Sequence, residues 1–345
     1  MKSVKRGLAA LALAALAGTA SAQTEINISY QPALYWALPF HIATEKNWWT
    51  EVGLKPNFST FPAGAPQVAA AQAKSWDVSG TGSVPAVLGA VRFGLLTIGI
   101  TNDESQANAL LVRGEKFDAM KANPASLKGQ KILLTTNSTG DYSVQACLAK
   151  YGLKKTDVQL VNLGQAQIIS ALSSNNGDLA GVWAPNTYTL EEKVGAKTLC
   201  SGKDAGAVVP GALVVRPDFA KERPQDVAKF LAIYLRAWKW AKAHPNEALA
   251  MMKKFYSQGG VQISDAAMKA EFDTRPTFDL AQQLAALERK GGPAQFDEWM
   301  TRIAEFMKAG GTIPAAPEAR SYITDQFLKM VDADPKLREF ANRAD

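Results

Sequence analysis

The sequence is poor in the residues that build metal centres and nucleophilic active sites, with two cysteines and two histidines among 345 residues. Cys147, Cys200, His41 and His244 lie far apart, without the close ligand spacing of a structural zinc site. No H-E-x-x-H, no G-x-x-x-x-G-K-[ST] loop and no cysteine cluster is present, and no Ser-His-Asp set has supporting spacing. No metal, no cofactor and no catalytic residue is therefore read. Runs of five or more Lys/Arg are also missing, as are stretches of 18 consecutive apolar residues. The second absence excludes an ordinary membrane-spanning helix. The composition, 47% hydrophobic and 20% charged with 26 Gly and 17 Pro, excludes disordered, collagen-like and low-complexity chains. The length leaves room for two domains of usual size.

The formal net charge is +6, with a pI near 9.1, which invites a nucleic-acid partner. Its origin removes the invitation. Residues 1–22 hold Lys2, Lys5 and Arg6, then the apolar run from Gly7 to Gly18, then Thr19-Ala20-Ser21-Ala22. A basic start, a short apolar stretch and an A-x-A ending make a secretory signal peptide cleaved after Ala22; an uncleaved anchor is the rival reading. Cleavage removes three positive charges and no negative one, leaving about +3, too little for a nucleic-acid footprint. No acylatable cysteine follows the signal, so the periplasm is the expected compartment. In that oxidising space Cys147 and Cys200 are either a disulfide or two separate buried thiols.

Beyond the signal, short β-rich runs alternate with helical patterns, the mark of an α/β fold. Strands are expected at Ile26–Tyr30, Phe58–Phe61, Val78–Gly80, Leu95–Thr101, Ala109–Arg113, Lys131–Thr135, Val158–Leu163, Leu179–Trp183 and Leu213–Val215. Helices are expected at Pro39–Glu51, Ala65–Ala73 and Tyr142–Tyr151, and almost continuously from Pro224 onward. One unit recurs. The stretch from Phe61 through Ala71, leading into Trp76-Asp77-Val78-Ser79-Gly80, reappears 101 residues later. There it runs from Asn162 through Leu172 into Gly177-Asp178-Leu179-Ala180-Gly181. Two lobes of like topology, each using the unit once, are the better reading of the repeat, against chance or convergent βαβ chemistry.

Open α/β sheets bind ligands at the carboxyl ends of their strands. The loops there are Gln31–Trp36, Thr81–Pro85 and Thr136–Tyr142. Two of them place hydroxyls and glycine at a helix start, where free N–H groups and the positive dipole end face outward. Such a pair would clasp a small anion without Arg or Lys, although plain N-capping accounts for either loop alone. The aromatic residues Trp48, Trp49, Trp238, Trp240 and Trp299 read as packing groups on helices. His41 reads as a partly buried histidine, and Lys336, Arg338 and Arg343 as a solvated face.

Three further segments carry a resemblance over essentially the whole exported chain. They are Val158-Gln159-Leu160-Val161-Asn162-Leu163, Gly181-Val182-Trp183-Ala184-Pro185, and Leu213-Val214-Val215-Arg216-Pro217-Asp218-Phe219. In their order and spacing the chain resembles the periplasmic substrate-binding proteins of ABC importers for nitrate, aliphatic sulfonates and taurine, nearest the taurine-binding type. The resemblance implies a type II binding-protein fold: two lobes, a hinge and a central ligand cleft. Lobe I would be residues 23–108 and 217–345, and lobe II residues 109–216. The crossovers would lie at Ala109–Arg113 and Gly211–Arg216, pairing as the hinge. Ser83, Ser138 and Thr139 would hold the anionic head, with Gln31 and Trp183 as walls or polar contacts. Tyr35, Gly82, Asn102, Asp103, Asp141 and Tyr142 complete the candidate set, Tyr142 being equally a core aromatic.

The chain departs from the taurine pattern at one place. Taurine-like members carry an acid in the second-crossover strand, and aligning on Val214-Val215-Arg216 puts Gly211 there. An ammonium without a carboxylate would be desolvated unpaired. Asp103, Glu104 and Asp141 are the candidates to take that place from another wall, although each also reads as a cap or an exposed residue. A ligand with no amine is therefore open. The implied function is a non-catalytic, monomeric receptor that hands a small organic anion to an ABC permease at the inner membrane. The alternatives are an enzyme of thiamine-precursor type on the same fold, or a sensory binding protein.

Overall fold

The computed structural model describes residues 23–345, so the expected signal peptide lies outside the described residues. Ten strands form two five-stranded sheets. They are β1 (Thr24–Tyr30), β2 (Leu54–Thr60), β3 (Val78–Gly82), β4 (Leu96–Asp103), β5 (Asn108–Val112), β6 (Lys131–Leu134), β7 (Gln159–Asn162), β8 (Leu179–Trp183), β9 (Lys197–Ser201) and β10 (Pro210–Val215). The first sheet runs β2-β1-β3-β10-β4 and the second β7-β6-β8-β5-β9. In each, three parallel strands are followed by one antiparallel strand that arrives from the other sheet. The central strands are apolar on both faces because helices cover both: β5, β8 and β10 are buried at every residue.

The internal repeat corresponds to β2, the helix Gly64–Ala70 and β3 in one sheet, and β7, the helix Gln165–Ser173 and β8 in the other. Each unit sits beside its β1 or β6 partner in the same order. The two-lobe α/β reading is right, and seven helices from Pro224–Ala243 to Pro335–Asn342 follow the last strand.

Three expectations change. The helix expected over Pro39–Glu51 is two pieces, Leu38–Glu45 and Trp48–Glu51. Asn47 between them has φ 57°, a left-handed conformation that a helix cannot continue. Residues 210–215, placed in lobe II from sequence, belong to the first sheet, where β10 fills the gap between β3 and β4 and completes both hydrogen-bond ladders. For the same reason Ala109–Arg113 and Gly211–Arg216 do not pair with each other. The pairing falls on the connecting segments beside them: Glu104 N donates to Val209 O (2.7 Å), Lys203 N to Ser105 O (2.9 Å) and Gly202 N to Asn108 O (3.0 Å).

Cys147 and Cys200 form a disulfide, with Cα atoms 5.9 Å apart, fastening the helix Thr139–Lys150 to β9. Trp48, Trp49, Trp238 and Trp240 are buried in the first lobe's core, and Trp299 packs against it. Half-buried His41 lies 5.7 Å from the Phe255 ring.

Candidate functional site

The two sheets point the carboxyl ends of β1, β3, β6 and β8 at one another. Between them lies a small cavity of about 20 Å³, lined by Gln31, Leu34, Trp36, Gly64, Gly82, Pro85, Glu104, Ser138, Thr139, Trp183, Ala184 and Arg275. Each wall has a local cause. Gln31 follows β1, and its amide donates to Gln67 Oε1 (3.0 Å) and Thr81 Oγ1 (3.4 Å). Gln67 is itself fully buried and donates to Ser79 Oγ (2.6 Å) and Gly80 O (3.0 Å), which fixes the position of Gln31. Gly82 ends β3 where the lobes meet. A Cβ there would stand 2.8 Å from Thr139 Cγ2 on the opposite lobe, so only glycine permits this approach.

The two helix starts face the cavity as expected, but their hydroxyls differ. Ser138 caps the helix Thr139–Lys150: its Oγ accepts from Asp141 N (3.1 Å) and donates to Thr135 O (2.6 Å), so it is engaged within its own turn. Ser83, next to Gly82, is fully buried with no hydrogen-bond partner for Oγ among the described residues. Trp183 packs over Gly140, whose added Cβ would lie 3.3 Å from the ring.

The charge comes from residues outside those loops. Arg275 lies on the segment after the helix Asp265–Thr274, and Asp103 N donates to the neighbouring Pro276 O (3.1 Å), anchoring that segment to the end of β4. Its guanidinium is 3.3 Å from Glu271 and sits 5.0 Å from the Tyr35 ring centroid, while Nε and Nη1 have no hydrogen-bond partner among the described residues. Tyr256 donates to Glu271 Oε2 (2.6 Å), so Glu271 is held from both sides. Glu104 lies on the connecting segment, with Asn108 Nδ2 3.4 Å from Oε2 and Oε1 unpartnered. Burial pushes its carboxyl up to about 7, against the opposing pull of Arg275 and Asn108. Glu271 is also raised by burial, again opposed by Arg275.

A model of the family described as NMT1/THI5 like matches residues 37–248, more than half of the chain. The chain belongs to this family. Within it, the taurine-binding periplasmic protein of Escherichia coli (strain K12) is 29% identical over 335 residues, covering 93% of this chain and 97% of that one. Solved structures with the same two-lobe fold include the alkanesulfonate-binding protein SsuA of Xanthomonas axonopodis pv. citri bound to MOPS. It is 19% identical, has a TM-score of 0.72, and covers 87% of this chain and 98% of that one. The periplasmic nitrate-binding protein NrtA of Synechocystis PCC 6803 is 13% identical, with a TM-score of 0.69 and coverage of 92% and 91%.

Of the residues expected at the site in this NMT1/THI5-like chain, Gln31, Gly82, Ser138, Thr139 and Trp183 line the cavity, and Ser83 adjoins it. Tyr35 does not line it: the ring stacks on Trp238 at 4.5 Å beneath Arg275. Asn102 is buried within β4 and accepts from Thr101 Oγ1 (3.0 Å). Asp103 turns to a separate surface hollow and accepts from Ser105 N (2.9 Å). Asp141 is a first-turn residue, accepting from Asn137 N (3.1 Å) and Gln145 Nε2 (2.8 Å). Tyr142 packs edge-on against Phe306 at 4.9 Å, a contact between lobes. Arg275 adds to the cavity wall a charged donor that the sequence reading did not include. Nothing in its Thr274-Arg275-Pro276 context separates it from any exposed arginine.

Proposed function

We propose that this chain is the periplasmic solute receptor of an ABC importer, closing around a small organic anion of the sulfonate class, taurine-like ligands included. The observation that carries this reading is Arg275, which lines the inter-lobe cavity and whose buried Nε and Nη1 have no hydrogen-bond partner among the described residues. A sulfonate would satisfy both with charge-assisted hydrogen bonds, while Ser83 and the first-turn amides beside Gly82 and Thr139 supply neutral donors. The names of the relatives support the ligand class, and their compartment supports the periplasm. Export, a permease partner and a monomeric state complete the proposal. The enzymatic alternative has less support: Cys147 and Cys200 are bonded to each other, and neither His41 nor His244 lines the cavity.

Isothermal titration of the purified protein with taurine, propanesulfonate and nitrate tests the reading. Binding of at least one sulfonate is expected, with Arg275→Gln weakening it by about 10- to 100-fold, the range for charge-assisted hydrogen bonds. Flat heats for every sulfonate would overturn the ligand class.

A further inference from the structure

Trp36 is a wall of the cavity that cannot give way. It follows β1 on the turn Tyr35–Ala37, lines the cavity and is 1% exposed. Three contacts pin it. The six-membered ring of its indole lies on Gly80 in β3, where an added Cβ would stand 2.3 Å from Cζ3 and 2.5 Å from Cε3. Tyr234 Oη donates to the Trp36 carbonyl (2.8 Å), and the preceding Tyr35 ring stacks on Trp238 at 4.5 Å. Any side chain at position 80 would push the indole out of place, so the glycine and the tryptophan act as one fitted pair.

The same indole carries an unused donor. Trp36 Nε1 is buried and has no hydrogen-bond partner among the described residues. A buried N–H left in that state costs free energy, which an acceptor bound beside it offsets. Ser83 Oγ and the Arg275 nitrogens Nε and Nη1 are in the same condition, whereas Ser138 on the opposite lobe is engaged within its own turn.

Space is the second constraint. The cavity measures about 20 Å³, and on such a scale a single water needs about 10–15 Å³. A larger ligand must move a wall, and with Trp36 pinned the lobes themselves must part. They meet closely at Gly82, where a Cβ would stand 2.8 Å from Thr139 Cγ2. A compact head group leaves that approach intact; a long tail holds the lobes apart.

We propose that Trp36 is the specificity-determining residue of the cavity: its indole N–H binds an oxygen of the anion's head group, and its fixed ring restricts the ligand to a short tail. The sulfonate identity of the head rests on the reading given above; the donor and the length limit rest on Trp36.

Methanesulfonate, hexanesulfonate and nitrate, titrated calorimetrically, make the test. The proteins are wild type, Trp36→Phe, and a form in which benzothiophene replaces the Trp36 indole, keeping the bicyclic ring and removing only the N–H. Wild type is expected to bind methanesulfonate at least about 10-fold more tightly than hexanesulfonate, because a tail that holds the lobes apart lowers the closed fraction. The benzothiophene protein should keep that ratio and bind both ligands about 10-fold more weakly, the scale of one hydrogen bond to a charged group. Trp36→Phe should weaken methanesulfonate to a similar degree and bring the ratio towards one. A tryptophan that serves packing alone would weaken both ligands equally in Trp36→Phe, and an unchanged ratio there would overturn the length limit. Wild-type affinity in the benzothiophene protein would overturn the donor. The wild-type series decides the length limit even if Trp36→Phe fails to fold: hexanesulfonate bound as tightly as methanesulfonate would overturn it and leave the sulfonate reading standing. Nitrate bound with neither sulfonate would overturn the sulfonate reading and keep the limit on size. Flat heats with all three would overturn both.

Discussion

Arg275 stands buried among Glu104 and Glu271, one cation for two carboxyls. With both acids ionised the cluster carries a net negative charge that the fold must bury, so the raised pKa of Glu104 is a statement about stability. Its carboxyl binds a proton more tightly folded than unfolded. That contribution is present below about pH 4.5 and is lost as pH rises through about 7, on the order of 3 kcal/mol in all. Glu104→Gln removes the penalty. Thermal denaturation should show the variant gaining several degrees over wild type at pH 8 and little at pH 5. A larger gap at the acidic end would mean that the carboxylate is ionised and stabilising in the empty protein. Ser83→Ala is a milder probe, expected to weaken ligand binding by about 1–2 kcal/mol in titration calorimetry, the value of one hydrogen bond to a charged group. These residues differ in how far they announce themselves. Ser83 and Gly82 follow a strand and open a helix, a local pattern that can be read directly. Arg275 comes from the distant helical half of the chain and reaches the cavity on a segment tied to the end of β4 by Asp103 N donating to Pro276 O and by the Asn102–Thr277 bridge. No local pattern encodes such a contact.

At the level of elements, the parallel strands and their 101-residue repeat were readable because short β-rich runs, a small-residue loop, an Ala-rich helix and the Asp-aliphatic-small-Gly ending recur at one spacing. What the pattern left out is the identity of each strand's neighbour. The run at Gly211–Arg216 reads as β whichever lobe owns it, and its place between β3 and β4 is decided by two open hydrogen-bond ladders. The edge strand β9 has only a five-residue span with an exposed start, and goes unnoticed without its partner β5. The helix Thr139–Lys150 and β9 are fastened by Cys147–Cys200, which closes a span of 53 residues containing β7 and β8. Constraining an unfolded loop of that size is worth about 4 kcal/mol in the chain-entropy account. Cys147→Ala/Cys200→Ala should therefore melt well below the oxidised wild type, and adding reductant should leave the double variant's transition unmoved. If wild type and variant melt together, the bridge contributes little to the second lobe.

On the scale of the whole molecule, contacts between the lobes include three beside the cavity. Gly82 meets Thr139, Thr312 Oγ1 donates to Asn137 Oδ1 (2.9 Å), and Tyr142 meets Phe306 edge-on. Phe306 belongs to the helix Gln295–Ala309, which packs on the helix Ser83–Phe93 of the first lobe, whereas Tyr142 rides on the helix Thr139–Lys150 of the second. Their contact therefore exists only when the lobes are together, and a receptor that opens to load must break it. An aromatic pair of this geometry contributes about 0.5–1.5 kcal/mol beyond its buried area. Tyr142→Ala should shift the empty protein towards open forms and, by lowering the closed fraction, weaken ligand binding by about three- to tenfold. Tyr142→Phe keeps the ring and should behave as wild type, since the Tyr142 hydroxyl donates to no group among the described residues. Small-angle scattering separates this from a direct ligand contact. Tyr142→Ala without ligand should have a larger radius of gyration than wild type, and saturating ligand should bring the two together. Lost affinity with an unchanged radius would place Tyr142 against the ligand and remove it from the closing contact.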